Sequence, residues 1–387
     1  MTEEFKINKK LVADSMLQVI GEESADSRIL QGYRSAVESE AILRAKAAGY
    51  ELTERCPTGE FAIDLIGESG VNGGFTAPNG DFYTLASSYK VAADDSAVAL
   101  HLDVNGSPRR AAAQLRLVNI KPTVGTVSGY GCIPVCRSSD TVSVTAKTVA
   151  EAKSLLDAIK GKDEKDPIST DPHPTEKRIA KIGLALWDGS AWLEEKGAEI
   201  LRNLNRTGVE TVEITELSEL FTTAHSTWNT VLCAELSCNL SRYDGVHFGR
   251  RAENVSDLNE LYIRSRSEGF GKLIKAAILY GSYASTETEN GQPYAKAVKA
   301  RLYVKSKINE LFNDLDAIVI PACSTPVYTV ESVKNGRFTA SSENFYTALP
   351  SLLGLPTVTV SGVQIIGRPH SDNALIDLAE KMEVSGK

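Results

Sequence analysis

Apolar and polar positions along the chain switch between two periods, and the switches predict helices alternating with strands. Ser35 to Ala48 (SAVESEAILRAKAA) is rich in helix formers and stops at Gly49, a residue that accepts the left-handed position after a helix. A helix, then a strand over Tyr50 to Arg55, is predicted. Thr148 and Glu151 form a capping-box pair, after which Val149, Ala152, Leu155, Leu156 and Ile159 recur at helical spacing as one buried stripe. Ile179 to Trp187 reads as a buried strand, Leu193 to Leu204 as a helix closed near Gly208, and Val209 to Ile214 as another strand. Together they make a β-α-β unit with parallel strands. Ala295 to Phe312 reads as a long cationic helix, and Asp316 to Pro321 as a short buried strand ending at proline. The last apolar run, Leu352 to Ile366, is broken by Gly354 and Pro356 and predicts two strands around a turn.

Residues 161–177, GKDEKDPISTDPHPTEK, are charged and proline-rich and cannot bury enough apolar surface to be core, so a surface loop is expected. The alternation, without an internal repeat, points to an α/β fold. The length of 387 residues fits two or three domains or one large α/β domain, and residues 1–387 are read as a single domain.

Composition adds exclusions. Apolar residues make up 42% and charged residues 24%, as in ordinary globular chains. A net charge of -8 supplies no field to condense a phosphate backbone, which argues against direct nucleic-acid binding. Six cysteines are too scattered for a disulfide framework, and Cys132/Cys136 and Cys233/Cys238 lack zinc-pair spacing. Reduced thiols, no metal and no cofactor are expected. The charged start, Met1 to Lys10, and the absence of an eighteen-residue apolar run predict neither a signal peptide nor a membrane span, and a cytoplasmic location.

The most informative stretch is Leu100 to Gly131, LHLDVNGSPRRAAAQLRLVNIKPTVGTVSGYG. It predicts a strand, a tight turn and a helix start. In Asp103-Val104-Asn105-Gly106-Ser107 a hydroxyl follows two residues that accept positive φ, so successive backbone N–H groups can point into one small space beside it. The same turn also serves a serine that merely caps a helix.

These residues resemble the amidase-signature enzymes, whose hallmark is an Asp-x-Gly-Gly-Ser-x-Arg turn followed by Lys-Pro-Thr-x-Gly-x-Val-Ser-x-Tyr-Gly. Here they read DVNGSPR and KPTVGTVSGYG. The likeness continues through Ile133 to Leu156, and AELSCNLSRYDGVHFGRRA (Ala234 to Ala252) and RSRSEGFGKLIKAAILYGSYA (Arg264 to Ala284) are similar to the branch of that family formed by the A-type subunits of tRNA-dependent amidotransferases. LLGLPTVTV, VQIIGRPHSD, DSRILQGYRSAVESEAILRAKAAG and GEFAIDLIGE extend it over nearly the whole chain. The resemblance implies an α/β fold around a central mixed, largely parallel sheet flanked by helices. It implies amide hydrolysis by a Ser, cis-Ser, Lys triad, in which a desolvated neutral lysine takes a proton through a bridging serine. It also implies heteromeric partner subunits and a small amide substrate.

Carried over residue by residue, the machinery is incomplete. The nucleophile position is Ser107, and Val104, Asn105 and Gly106 form the oxyanion turn, with Asn105 replacing a glycine. The family's lysine, in an Ile-Lys-Asp-Asn segment, falls on Ala13 of Val12-Ala13-Asp14-Ser15. Lys9 or Lys10 substitutes only if that register slips by three or four residues. Counting back from Ser107 puts Tyr83 and Thr84 on the paired serines of the Gly-Gly-Ser-Ser-Gly-Gly-Ser loop and Ser87 on its last one. A competing register, needing a four-residue deletion, puts Ser87 and Ser88 on the pair. His247 stands where the branch has an arginine that grips a substrate carboxylate, and between Val360 and Ser361 the chain lacks a pocket-lining stretch, leaving a shortened C-terminal pocket region. The expectation is a catalytically impaired pseudo-amidase with a binding or assembly role. The alternative is an active amidase or glutaminase with Ser107 as nucleophile and Lys9, Lys10 or Lys90 as base.

Other constellations read as structural. His101 and Asp103 are two residues apart on one strand and cannot converge on Ser107 as a relay. Cys132 and Cys136 are small buried hydrophobes. Lys121 and Arg109 are expected to pair with carboxylates, Asp140 to cap, Arg242, Tyr243 and Asp244 to organise a helix, and Lys296 to Lys307 to form a solvated face.

Overall fold

Ala97–Asp103 is an interior strand, third from one edge of the sheet, and all seven of its residues are buried. The computed structural model describes residues 9–23, 26–171, 178–185, 191–214, 217–289, 291–325 and 327–385. Their strands are β1 (Lys10–Asp14), β2 (Glu51–Cys56), β3 (Ala97–Asp103), β4 (Val118–Lys121), β5 (Thr141–Ala146), β6 (Lys181–Leu184), β7 (Glu210–Glu213), β8 (Ala317–Pro321), β9 (Thr357–Val360) and β10 (Val363–Gly367). The helices are α1 (Glu40–Ala47), α2 (Ala86–Ala93), α3 (Ser107–Leu115), α4 (Val149–Ile159), α5 (Ala191–Arg206), α6 (Ser218–Leu240), α7 (Leu258–Gly269), α8 (Lys272–Ala284), α9 (Pro293–Asp314), α10 (Val330–Lys334), α11 (Ala340–Leu353) and α12 (Asp372–Ser385).

The strands form one mixed sheet in the order β2-β1-β3-β5-β4-β9-β10-β8-β6-β7, flanked by helices. Pairs at both flanks are parallel and those between β3 and β8 are antiparallel. The predicted β-α-β unit is β6-α5-β7, with β6 and β7 parallel. Its first strand is shorter than expected, and Leu186 and Trp187 lie outside the described residues.

The two faces of the central strands differ in chemistry. Leu100 and Leu102 of β3, Val142 and Val144 of β5, Val118 and Ile120 of β4 and Val358 of β9 face one apolar layer with α1, α4 and α12. Each such side chain contributes on the order of 1.5–3 kcal/mol by leaving water. Because neighbouring strands put opposed residues on the same side, the opposite face collects His101 and Asp103, Ser143 and Thr145, Asn119 and Lys121, and Thr357 and Thr359. Helices α2 and α3 cover it, so these polar groups are buried.

Several local expectations shift. Helix α1 begins at Glu40 rather than Ser35, because Ser35 closes a turn with Val37 through its hydroxyl and Ser39 N–H bonds back to Gln18. Thr148 caps α4 by accepting Glu151 N–H, while the Glu151 carboxylate pairs with Lys9 instead of completing a box. Leu352 and Leu353 end α11, and Gly354 caps it in the left-handed conformation; the two strands of this run are β9 and β10, antiparallel around Ser361 and Gly362. Segment 161–177 has no regular structure over its described part, residues 161–171, yet is not wholly superficial. Asp163 accepts the Ser128 hydroxyl (2.6 Å), Asp166 accepts Gly129 N–H (2.7 Å) and an Arg137 N–H (2.8 Å), and all of these anchors are held against the KPT segment's exit. Lysines 296, 299 and 305 of α9 are exposed, as a solvated face requires. Among the described residues no helix is long and apolar enough to cross a membrane.

Candidate active site

The strand, turn and helix predicted around Ser107 are β3, Val104-Asn105-Gly106 and α3, whose second residue, Pro108, has the fixed φ a first turn favours. Gly106 takes φ +87°, and a Cβ there would lie 2.5 Å from the Thr347 side chain on α11, so two independent reasons demand glycine. Asn105 is not left-handed, contrary to expectation. Its side chain is otherwise engaged: the amide donates to Ile63 O (2.8 Å), the carbonyl accepts Trp228 Nε1–H (3.0 Å), and its backbone carbonyl accepts the Thr347 hydroxyl (3.1 Å). The replacement of a glycine by Asn105 therefore pins the turn between the 60–66 loop and α6.

Asp103 sets the electrostatics. Its carboxylate accepts two Arg109 N–H groups at 2.9 and 3.0 Å and the Gly106 N–H at 3.1 Å. One amide of the expected oxyanion turn thus points at Asp103. Burial pushes this carboxyl up, but the charge and hydrogen bonds of Arg109, with Lys121 and Arg110 behind, overcome it and hold it below the usual range. Arg109 also reaches Ser351 Oγ (2.7 Å), Gln364 Oε1 and Thr347 O, which makes it the structural pair expected. Lys121 instead donates to Leu355 O (3.1 Å), and burial pushes its ammonium down to about 7.

The other carried-over positions are dispersed. Ala13 is fully buried in the apolar layer. Asp14, one residue on, faces the opposite layer, accepts the Ser87 hydroxyl at 2.6 Å, and lies 3.2 Å from His101 Nδ1, which is itself 3.2 Å from Ser87 Oγ. His101 is hydrogen-bonded structure on that side, as predicted, but the Asp14-Ser87-His101 cluster is not legible from spacing because it joins three separate elements. Tyr83 and Thr84 run in extended backbone ahead of α2, with Tyr83 N–H on Tyr328 O and Thr84 N–H on Phe75 O; the Thr84 and Ser88 hydroxyls are buried without a partner. Ser107 itself is 2% exposed, and among the described residues its hydroxyl meets no basic side chain at hydrogen-bond distance. The three candidate lysines stand elsewhere: Lys9 at Glu151, Lys10 at Asp94 (2.8 Å) and Lys90 at Glu54 (3.0 Å).

On the substrate side, His247 is exposed and its Nδ1 sits 3.0 Å from Asp244, whose other oxygen accepts the Val246 and His247 N–H groups. Arg242 and Tyr243 line a cavity of about 180 Å³ with Gln18, Tyr33, Ile133 and Phe248. Tyr243 meets the Phe61 ring at 6.0 Å, which links this cavity to the 60–66 loop under Asn105. That loop holds a feature that spacing along the chain does not disclose. Asp64, buried, and Glu68, half-buried just beyond that loop, form a carboxyl pair, Asp64 accepting Gly67 and Ser69 N–H and Glu68 accepting Leu65 and Ile66 N–H. Burial pushes both up, and the charge of Asp64 adds to the rise at Glu68, which reaches about 8. Arg110 ties the same loop to α3 through Leu65 O (2.8 Å). Asp140 accepts Val135 and Cys136 N–H as the expected cap, and burial pushes the Cys132 thiol up to about 12, so it stays a protonated packing group.

A family model described as Amidase matches residues 23–376. The A-type glutamyl-tRNA(Gln) amidotransferase subunit of Wolinella succinogenes is 32% identical over 96% of this chain and 88% of its own, and that of Campylobacter jejuni is 31% identical over 92% and 84%. Among solved structures, the corresponding glutamyl-tRNA(Gln) amidotransferase subunit from Thermotoga maritima superposes with a TM-score of 0.76 at 24% identity, covering 97% of this chain and 82% of its own. A second, from a vestigial complex bearing on the origin of an s-triazine catabolic enzyme, gives 0.77 at 19% identity over 98% of this chain and 84% of its own. The sheet around Ser107 and these likenesses agree, and the chain belongs to the amidase signature family, with A-type amidotransferase subunits among its relatives.

Proposed function

We propose that this chain is a cytosolic protein similar to the A-type amidotransferase subunits, whose amide-hydrolysing chemistry is impaired and whose role is binding or assembly beside partner subunits. The observation that carries the reading is the surroundings of Ser107. A serine hydroxyl becomes a nucleophile when a base accepts its proton, and position 13 is a buried alanine while Lys9, Lys10 and Lys90 are held by carboxylates. Loss of single members of such triads costs on the order of a thousandfold or more. The Gly106 amide on Asp103 and the exposed His247 in place of an arginine weaken oxyanion and carboxylate binding in the same direction.

One observation favours the active alternative: Ser87 lies beside Asp14 and His101, a set able to accept a proton if Ser87 bridges to Ser107. Ammonia release from glutamine, asparagine and a simple aromatic amide separates the two readings. Rates indistinguishable from a Ser107→Ala protein support impairment. Turnover that Ser107→Ala abolishes defeats it, and further loss in His101→Gln assigns the base. Purification with and without a co-expressed partner tests the assembly role, which predicts a stable heteromer.

A further inference from the structure

At the end of the sheet away from β3, a strand edge lies open beside a cavity. Among the described residues β7 is the last strand, pairs with β6 alone and packs chiefly on β6 and α5. Glu210 N–H goes to Ala180 O (2.9 Å) and Ile214 N–H to Leu184 O (2.8 Å), so residues 210, 212 and 214 turn their main-chain groups toward β6. Because that direction alternates along a strand, Thr211 and Glu213 present their N–H and C=O outward, the arrangement that templates another strand. Glu210, Val212 and Glu213 are exposed there.

Against this edge lies an open cavity of about 760 Å³, bounded by β7, the start of α6 and the end of α9. Ligand clefts run to roughly 300–1,000 Å³, so the space is ample for a guest. Val212, Ile214, Leu220, Leu311 and Tyr303 supply its apolar surface. Its charges do not balance, since Lys181 and Lys307 stand against Glu213, Glu219, Glu310 and Asp314. Both lysines are already taken, Lys181 by Glu210 (2.8 Å) and Lys307 by Glu310 (2.7 Å). Among the described residues the Glu213, Glu219 and Asp314 carboxylates make neither a hydrogen bond nor an ion pair. An apolar floor rimmed by unpaired carboxylates fits a basic, partly apolar guest, and the open strand edge fits an extended one.

We propose that the outer edge of β7 and the adjoining cavity form a docking strip for an extended, basic segment of a partner protein, which joins the sheet as an added strand. Such a partner is the one the proposed assembly role calls for, and the inference rests on that reading. Every second side chain of the added strand faces the cavity, where apolar groups cover Val212 and long basic side chains reach Glu219 and Asp314. Main-chain bonds to Thr211 and Glu213 give affinity, and the carboxylate rim selects positive charge. A second copy of this chain does not suit the strip: pairing β7 with β7 gathers the Glu210 and Glu213 carboxylates of both copies at one seam, and like charges opposed across a ladder destabilise it.

The probe is an acetylated, amidated heptapeptide of alternating lysine and valine, titrated into the full chain at about 0.15 M salt. Calorimetry should show saturable binding, and hydrogen exchange resolved to single amides should slow at Thr211 and Glu213 while Ile214, already bonded to β6, changes little. Methylating every amide nitrogen of the peptide, or replacing its lysines by glutamates, should weaken binding about tenfold or more. The double change Glu213→Lys with Glu219→Lys, at exposed positions and checked for an intact fold by circular dichroism, should do the same. Equal binding of the methylated peptide, or exchange at Thr211 and Glu213 that does not slow, overturns strand addition. Absence of binding overturns the docking strip and leaves the assembly role standing on the co-expression test. A heteromer that forms equally well with the double variant also overturns the strip, whereas peptide binding without any heteromer supports the strip and fails the assembly role.

Discussion

Asp103 is the most exacting position in the site, and Asp103→Asn is the perturbation that tests its role. The substitution keeps volume and one oxygen, so it changes charge and one acceptor only. In the native protein both carboxylate oxygens are taken by Arg109, one of them also by Gly106 N–H, and Arg110 and Lys121 add positive potential from either side. All of these side chains are fully buried. Asparagine would turn an N–H₂ toward donors and leave Arg109 without its counter-charge. Breaking a buried pair from one side costs roughly 3–5 kcal/mol, against a total stability of about 5–15 kcal/mol. At roughly 2 °C per kcal/mol for a large chain, the Tm should fall by about 6 °C or more. The pH dependence supplies a second sign. Because Asp103 is held below its unfolded value, its contribution is present in full above the unfolded carboxylate pKa and is lost as pH falls through the lower folded value. The wild-type protein should therefore lose stability at acid pH through a limb that Asp103→Asn lacks. Urea melts from pH 3 to pH 7 read both effects. A loss below about 1 kcal/mol at neutral pH, or an identical acid limb, would refute the reasoning.

Further expectations rest on neighbouring groups. Glu68 is raised to about 8, so its contribution is whole below about 4.5 and disappears as pH climbs through 8; Glu68→Gln should flatten the decline seen in urea melts over that window, and an unchanged slope would count against the Asp64–Glu68 pair. Gly106→Ala combines a positive φ with a contact at Thr347 and should cost roughly 1–3 kcal/mol by thermal melting, whereas a neutral result would contradict the close packing of α3 on α11. Trp228→Phe removes the donor to Asn105 inside the core and should cost roughly 1–3 kcal/mol, a penalty that shrinks when Asn105→Gly is made in the same chain. Replacing Lys9, Lys10 and Lys90 together by methionine should leave any residual amidase activity unchanged, since their amines face surface carboxylates.

What the chain disclosed in advance follows its local chemistry. The β3-turn-α3 unit was legible because it is contiguous, and because glycine and proline fix backbone angles within three residues of Ser107. Helix α4 and the β6-α5-β7 unit were legible from periodicity. Helix starts were less so, since the Ser35 hydroxyl closes a local turn with Val37 instead of opening the helix, and Ser39 N–H goes to Gln18 in a separate segment. The site failed to appear where its parts are distant in sequence. Asp14, Ser87 and His101 meet through the pairing of β1 with β3 and the packing of α2, and Asp64 and Glu68 look like ordinary loop acids until the fold encloses Asp64 fully and Glu68 in part. Asn105 read as a turn residue of positive φ, yet it is held without one by partners far away in sequence, Ile63, Trp228 and Thr347.

Whether the Ser107 oxygen is ever activated separates an inert relative from a working hydrolase. The rate at which a fluorophosphonate modifies it, followed by mass spectrometry of the intact chain beside Ser107→Ala as the blank, measures that directly. A hydroxyl without a proton acceptor should show no adduct above the blank in folded protein from pH 6 to pH 9. One adduct per chain, mapped to Ser107 and rising with a sigmoidal pH profile, would contradict it.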